Sequence, residues 1–329
     1  MSLKIKKIAV FTSGGDAPGM NAAVRAVVRT AIFHKLEVFG ILHGYDGMIN
    51  GEIARLETKD VGNILHRGGT MLKTARSMEF MTPAGRKKAH DVLIANGIDA
   101  CIGIGGNGTF TGAMIFSQEY NIPFIGLPGT IDNDLYGTDF TIGFDTAINT
   151  AISAMDKIRD TADSHNRLFF VEVMGRHSGY IAMHSGIGVG AGNILIPENP
   201  TNGVDDLVKI LKKSSRRNKL FNLVVVAEGN IDGGAMEVSE KVKAAVGDKF
   251  DIKVTIIGHL QRGGSPSCAD RFLASRLGFA AVEALLSGKS NVMVGIVDNK
   301  IKYTTFEDAI NKEKPLDSDL VRMAEILAL

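Results

Sequence analysis

The chain has 329 residues, enough for two domains of ordinary size, and at 45 % hydrophobic residues each can bury a core. A formal net charge of +1, with no long run of one sign, argues against a nucleic-acid-binding or polybasic membrane protein. Two cysteines, Cys101 and Cys268, are too few for a disulfide framework or a cysteine-rich zinc site, and fit a reducing compartment.

In chain order, Lys4, Lys6 and Lys7 lead into a short apolar run that ends at Gly14-Gly15-Asp16, too soon for a cleavable signal. No window reaches the uninterrupted apolar length of a membrane span, so the expectation is a soluble, cytoplasmic protein. Strands are predicted at Ile8–Thr12, Val38–Leu42, Ala100–Ile104, Pro123–Leu127, Leu168–Val173, Ile194–Ile196, Leu223–Ala227, Val254–Ile257 and Val292–Val297. Helical patterns lie between them. One covers Asn21–Phe33. A second starts with Thr82 as N-cap and Pro83 at N1, and closes at Gly97 after Asn96. Ile148, Ile152, Met155 and Ile158 repeat at helical spacing, and Cys268–Leu286 is rich in Ala and Leu. This alternation predicts βαβ units and a largely parallel sheet. No repeat, low-complexity stretch or linker marks a domain boundary.

Several segments carry chemistry. Pro128-Gly129-Thr130-Ile131-Asp132-Asn133-Asp134 sets two carboxylates two residues apart at the carboxyl end of a buried strand, where open α/β sheets bind ligands. Thr12 to Gly19 follows the first strand and opens a helix, a place where glycines let N–H groups approach an anion; a plain tight turn is about as good a reading. Gly103 to Thr109 formally matches G-x-G-x-x-G. A dinucleotide site would also need an acid ending the next strand, and that strand ends in Leu127-Pro128-Gly129. No P-loop string occurs. Gly186 to Gly192 reads as a flexible turn. Arg167 precedes one predicted strand, Met174-Gly175-Arg176-His177-Ser178-Gly179 follows it, and Gly258 to Pro266 follows another. Arg and His gathered at strand ends beside Gly-rich loops fit recognition of phosphorylated ligands. His177 and His259 lack the Cys/His cluster or H-E-x-x-H context of a transition-metal site. Together the pieces suggest phosphoryl transfer, which needs a base, an oxygen-held Mg²⁺ and positive groups around the moving phosphoryl.

The strings TSGGDAPGMNAAVR, IGGNGT, PGTIDND, VEVMGRHSG and GHLQRGGSP, in that order, resemble bacterial-type ATP-dependent 6-phosphofructokinase from about Ile8 to the C-terminal region. The resemblance implies two Rossmann-like three-layer α/β/α domains with mainly parallel sheets, residues 1–143 with 261–311 and residues 144–260 with 312–329. It implies a homotetramer with active sites between domains and partly shared between subunits, and transfer of the γ-phosphate of ATP to the 1-hydroxyl of fructose 6-phosphate. By similarity Asp132 is the general base, assisted by Thr130, Asp134 and Arg176. Gly15, Arg76, Ser77, Gly106, Asn107, Gly108 and Thr109 hold ATP, and Asn107 and Asp134 face Mg²⁺. Thr130, Asp132, Met174, Gly175, Arg176, Glu228, His259 and Arg262 bind the sugar phosphate, with Arg167 and Lys253 reaching in from a neighbouring subunit. Arg25, Arg29, Arg159, Arg217 and Lys219 match the basic positions of an effector site for ADP or phosphoenolpyruvate.

Pyrophosphate-dependent relatives carry Asp at the place of Gly108 and Lys at that of Gly129, so small residues at both favour ATP over pyrophosphate. Three positions depart from the family pattern. Asn107 replaces the usual metal-side Asp and offers one neutral oxygen, so weaker metal binding is expected; it also motivates a rival reading as a weakly active regulatory paralogue. Lys253 replaces Arg and loses the bidentate fork. At the effector site Thr58 replaces an Arg and Gly192 an acid, so altered regulation is expected.

Overall fold

The computed structural model describes residues 5–165, 167–199, 202–216 and 223–328. Arg217 and Lys219 of the expected effector set lie outside the described residues. The strands are β1 (Lys7–Thr12), β2 (Glu37–Ile41), β3 (Ile53–Leu56), β4 (Ala100–Gly105), β5 (Phe124–Pro128), β6 (Arg167–Val173), β7 (Asn193–Leu195), β8 (Leu223–Ala227), β9 (Asp251–Ile256), β10 (Val292–Val297) and β11 (Lys300–Thr305). The helices are α1 (Met20–Phe33), α2 (Gly44–Asn50), α3 (Pro83–Ala95), α4 (Asn107–Tyr120), α5 (Phe144–His165), α6 (Tyr180–Gly188), α7 (Val204–Arg216), α8 (Ala235–Val246), α9 (Cys268–Leu286), α10 (Phe306–Asn311) and α11 (Ser318–Leu327). No helix among the described residues is long and apolar enough to cross a membrane.

The chain divides into two compact units. The first comprises Met1–Ile131, Leu135–Thr146 and Arg262–Lys314; the second comprises Asp132–Asp134, Ala147–Gln261 and Pro315–Leu329. Asp132–Asp134 therefore groups with the second unit, although the chain on either side belongs to the first.

The first unit holds a seven-stranded sheet in the order β11-β10-β5-β4-β1-β2-β3. The five central strands run parallel, and β3 and β11 pair antiparallel at the two edges. Side chains alternate between faces along each strand. Ala9, Phe11, Cys101, Phe124 and Met293 point to one face, packed with Met48 of α2, Leu93 of α3, Phe110 and Phe116 of α4 and Phe306 of α10. The other face is covered by α1 and α9, which pack on each other and on the sheet. Gly278 of α9 permits that close approach, since a Cβ there would stand 2.7 Å from the Cβ of Ala26 and 2.8 Å from the carbonyl of Ala23.

The second unit holds a four-stranded, all-parallel sheet in the order β7-β8-β6-β9. Leu168, Phe170, Val224 and Val226 face α7 and α8, packing with Leu207, Leu211, Val238 and Val242. The opposite face is covered by α6, which α11 packs against in turn. Both units are three-layer α/β/α sandwiches of the Rossmann-like kind.

All nine predicted strands are present, within a few residues. Thr82 caps α3 as expected, its Oγ1 accepting from Gly85 N at 3.0 Å, and Gly97 follows the helix with φ +66°. Two strands have no counterpart in the predicted set, β3 and β11. Both are antiparallel edges with exposed faces, so their residues mix Arg, Lys and Thr with apolar side chains instead of forming the continuous apolar run of a buried parallel strand. The start of β9 lies three residues before the expected one for the same reason: Asp251 and Lys253 are exposed on a sheet edge. The segment Gly186 to Gly192 is not wholly a flexible turn. Gly186–Gly188 completes α6, and Ile194 lies so close to Gly186 that a Cβ would stand 2.6 Å from its Cδ1.

Candidate active site

In the first sheet, α1 leads from β1 to β2 on one side, whereas β4 lies on the other side of β1. This reversal opens a crevice at the carboxyl ends of β1 and β4, the place where open α/β sheets take ligands. Two Gly-rich loops leave those ends and touch. Ser13 N donates to the Ile104 carbonyl at 3.0 Å. A Cβ on Gly105 would collide with the Thr109 hydroxyl and with the Ser13 carbonyl, so only glycine fits. Gly106 caps α4 with extended backbone and no side-chain cap, so the first N–H groups of the 14-residue helix face outward with its positive end. Asn107 and Gly108 are exposed there. Thr109 is 3 % exposed, and its Oγ1 has no hydrogen-bond partner among the described residues.

The first turn of α4 is braced from behind. Tyr45 on α2 donates its hydroxyl to the Thr109 carbonyl at 2.5 Å, and Phe80 stacks on the Tyr45 ring at 4.0 Å between centroids. Burial raises the Tyr45 pKa well above its usual range, so the hydroxyl stays a neutral donor.

A third loop, from His66 to Met71, escaped the motif reading. Asn21 of α1 holds it, donating from Nδ2 to the Arg67 and Gly68 carbonyls at 3.1 and 3.3 Å and accepting from Met71 N at 2.7 Å. Thr12 Oγ1 donates to the Lys73 carbonyl at 2.8 Å. The segment carries on to Arg76, which is exposed, and to Ser77, whose hydroxyl lies 3.4 Å from Asp46 Oδ1. A Cβ on Gly68 would collide with the Gly264 carbonyl, and Ser265 Oγ donates to the His66 carbonyl at 2.8 Å. Arg262 donates from Nη1 to the Asp16 carbonyl at 3.3 Å, and a Cβ on Gly15 would stand 2.6 Å from that same nitrogen. Thr130, whose carbonyl accepts from Thr141 Oγ1 at 2.6 Å, also belongs to this unit.

The second unit gathers its own set at the carboxyl ends of β6, β8 and β9. Asp132 is 4 % exposed. Ser178 Oγ donates to its carbonyl at 3.0 Å, and Arg176 Nε lies 4.0 Å from its Oδ2. Arg176 has φ +53°, a left-handed backbone that a non-glycine residue adopts only when its surroundings hold it there. A Cβ on Gly229 would strike the Arg176 carbonyl, so glycine is required beside it. Glu228 Oε1 accepts from Arg176 N at 2.6 Å and from Gly175 N at 3.3 Å. Asp134 is half-buried, Met174 is half-buried at the strand end, and His259 is exposed in a short 3-10 turn.

Arg167 and Lys253 do not join this group. They flank Asp251 at 3.0 and 2.8 Å, at the amino end of β6, about 20 Å of strand away from Arg176. Hydrogen bonds from Lys253 and then Arg167 lower the Asp251 pKa. Of the expected effector residues, Arg25 and Arg29 lie one turn apart on α1; partial burial and then the Arg29 charge lower the Arg25 pKa. Arg159 on α5 donates to the Gly190 carbonyl at 3.2 Å. Thr58 follows β3, and Gly192 N donates to the Leu223 carbonyl at 2.9 Å.

No group of three or more His, Cys, Asp or Glu among the described residues could hold a metal by itself. Mg²⁺ keeps several waters and is bound through one or two carboxylates together with substrate phosphates. Asp134 in the second unit offers a half-buried carboxylate, and Asn107 in the first offers an exposed neutral amide oxygen.

The family described as Phosphofructokinase matches residues 7–285. The chain is 56 % identical over 323 residues to the ATP-dependent 6-phosphofructokinase of Cytophaga hutchinsonii, covering 98 % of each. It is 53 % identical over 325 residues to ATP-dependent 6-phosphofructokinase 1 of Thermus thermophilus, covering 99 % of this chain and all of the other. Among solved structures, phosphofructokinase from Saccharomyces cerevisiae superposes with a TM-score of 0.88 at 38 % identity, over 98 % of this chain and 48 % of the yeast chain, so the protein spans about half the length of that relative. With a family match over most of its length and relatives more than half identical from end to end, the chain belongs to the phosphofructokinase family.

Proposed function

We propose that the protein is an ATP-dependent 6-phosphofructokinase, transferring the γ-phosphate of ATP to the 1-hydroxyl of fructose 6-phosphate to give fructose 1,6-bisphosphate and ADP. The observation that carries this reading is the buried Asp132 carboxylate with Arg176 Nε 4.0 Å away, at the carboxyl end of β6, in a chain 56 % identical to a relative named for that activity. Asp132 takes the proton of the sugar 1-hydroxyl as the phosphoryl group arrives. In a loose transition state little proton transfer is needed before bond formation, so a carboxylate serves as the base. Arg176 offsets the negative charge that develops on the phosphoryl oxygens. Thr130 and Asp134 orient groups around the transferring phosphate.

In the first unit, the outward N–H groups of α4, Thr109 Oγ1 and the Gly15 and Gly106 loops take the phosphates of ATP, with Arg76 and Ser77 alongside. Asp134 and Asn107 are the residues that would hold Mg²⁺ together with the phosphates, and the ion would supply charge neutralisation there. Met174, Gly175, Glu228, His259 and Arg262 bind the sugar phosphate. Arg167 and Lys253 lie away from that group, which supports their serving a neighbouring copy in a homotetramer. By the resemblance, Arg25, Arg29 and Arg159, with Arg217 and Lys219 outside the described residues, would serve an ADP- or phosphoenolpyruvate-type effector, with Thr58 and Gly192 altering the response. The reaction belongs to cytoplasmic glycolysis. A Cβ on Gly108 would meet nothing within 4 Å, so the place where an Asp would stand is open space that a nucleotide can use.

Purified protein with Mg²⁺ and fructose 6-phosphate, offered ATP or pyrophosphate, tests the reading. Fructose 1,6-bisphosphate formed with ATP supports it, turnover with pyrophosphate alone overturns the donor, and no turnover with either overturns the activity.

A further inference from the structure

Beyond the end of β6, three successive amide N–H groups have left the sheet ladder and end on side chains. Gly175 N and Arg176 N go to Glu228, as above. Met174 N goes to Gln261, whose Oε1 accepts it at 2.9 Å. Glu228 has a proposed ligand; Gln261 has no assigned role. Yet Gln261 is 0 % exposed, and its Nε2 is buried with no hydrogen-bond partner among the described residues. A buried amide with one end unsatisfied is a poor choice for stability, because an apolar side chain of similar volume would bury no orphan donor. What the amide does supply is an acceptor at the point where the loop carrying Arg176 begins.

We infer that Gln261 is a positioning residue: its carboxamide fixes the Met174 amide and, with Glu228, sets the backbone that aims Arg176 at Asp132. The inference rests on the proposed kinase reading for its functional meaning. The physical basis is geometric. Arg176 keeps φ +53° only while its neighbours over-determine it. Glu228 constrains the loop at residues 175 and 176, and Gln261 constrains it one residue earlier, so the two acceptors fix both position and direction. Gln261 also comes from the segment that carries His259 and Arg262, so the same bond ties the two sugar-phosphate loops in register.

The test compares wild type, Gln261→Leu and Gln261→Glu. Leucine fills the volume without an acceptor; glutamate keeps an acceptor oxygen. Two readouts are taken: amide hydrogen exchange of residues 174–176, and kcat and KM for fructose 6-phosphate with ATP. The expected result for Gln261→Leu is faster exchange at 174–176 and a kcat lower by roughly tenfold to a hundredfold, the scale of losing alignment at a reacting group, with KM changed far less. Gln261→Glu should restore slow exchange and recover most of kcat. Wild-type exchange at 174–176 in the leucine variant overturns the inference, as does faster exchange with unchanged kcat. A wild-type protein without turnover would count against the proposed activity, and the exchange comparison would still decide whether Gln261 holds the loop.

Discussion

Arg176 Nε stands 4.0 Å from Asp132 Oδ2, with the arginine 61 % exposed at its side chain and the aspartate 6 %. That asymmetry suits a division of labour: a buried carboxylate held in one place, and a guanidinium that can swing onto an incoming phosphoryl group. Asp132→Ser should lower kcat by about 10²–10⁴-fold, the range for loss of a positioned acid or base. Arg176→Lys should also lower kcat, since the planar fork cannot be reproduced by a point charge. Steady-state kinetics of both variants check this, and near-wild-type turnover of the serine variant would remove Asp132 from the mechanism.

Gly15 and Arg262 are a second coupled pair. The obstacle to a Cβ at Gly15 is the far end of the Arg262 side chain, so Gly15→Ala should displace the guanidinium with little unfolding cost. The expected outcome is a raised KM for fructose 6-phosphate in Gly15→Ala, resembling Arg262→Ala. The double variant should lose much less than the sum, because the two changes act on one guanidinium. Fully additive losses would show that the glycine matters only for ATP.

These couplings show what could and could not be read from the chain. Continuous apolar runs exposed the central strands, and caps such as Thr82 fixed helix starts, because both are local and periodic. The chemistry at Asp132, Gly106 and Arg176 was legible as motifs at strand ends. Asn21, Tyr45 and Gln261 were not, since each acts through a hydrogen bond to a partner 46 or more residues away and leaves no local pattern. The His66–Met71 loop was missed for the same reason: its Gly68 makes sense only beside Gly264. Edge strands β3 and β11 carry the mixed composition of exposed sheet margins.

Donor choice should turn on Gly108 more cleanly than on Gly129. A side chain at Gly108 enters open space, whereas a Cβ at Gly129 would lie 3.0 Å from both Ile104 and Met20. Gly108→Asp should therefore fold normally while kcat/KM for ATP falls by about tenfold or more, the scale of a misplaced charge against phosphate. Gly129→Lys should cost about 1–3 kcal/mol of stability from overpacking, so its kinetics must be read beside a denaturation curve. An unchanged kcat/KM for ATP in Gly108→Asp would show that the nucleotide does not use that space.

Arg86 and Glu119 join α3 to α4 through paired bonds of 2.6 and 2.7 Å, with Arg86 also donating to the Phe80 and Met81 carbonyls. The hydrogen bond from Arg86 lowers the Glu119 pKa. A carboxylate depressed in the folded state stabilises above its ordinary pKa, and the contribution fades as pH falls through the folded value. Glu119→Gln should cost about 1–2 kcal/mol at neutral pH, discounted because the Glu119 side chain is 32 % exposed. The gap to wild type should close on acidification. Denaturant titrations at neutral pH and down through the carboxylate range measure it, and a pH-independent gap would assign the effect to packing.

Asn107 occupies the first position of α4, exposed, with its carbonyl accepting from Thr111 Oγ1 at 2.9 Å. Its side chain stands where the outward N–H groups and the helix dipole favour negative charge. Asn107→Asp should therefore act twice. An acidic residue at a helix N-terminus adds about 0.3–1 kcal/mol, visible as a small rise in Tm. A charged oxygen in place of a neutral one should also lower the Mg²⁺ concentration needed for half-maximal rate, because hard cations prefer carboxylate to amide. The two effects separate experimentally, since Tm is measured without nucleotide and the Mg²⁺ titration with saturating ATP. A raised Tm with an unchanged Mg²⁺ requirement would place the metal away from Asn107. A collapse of rate would mean that the neutral amide makes a contact to substrate that a carboxylate repels.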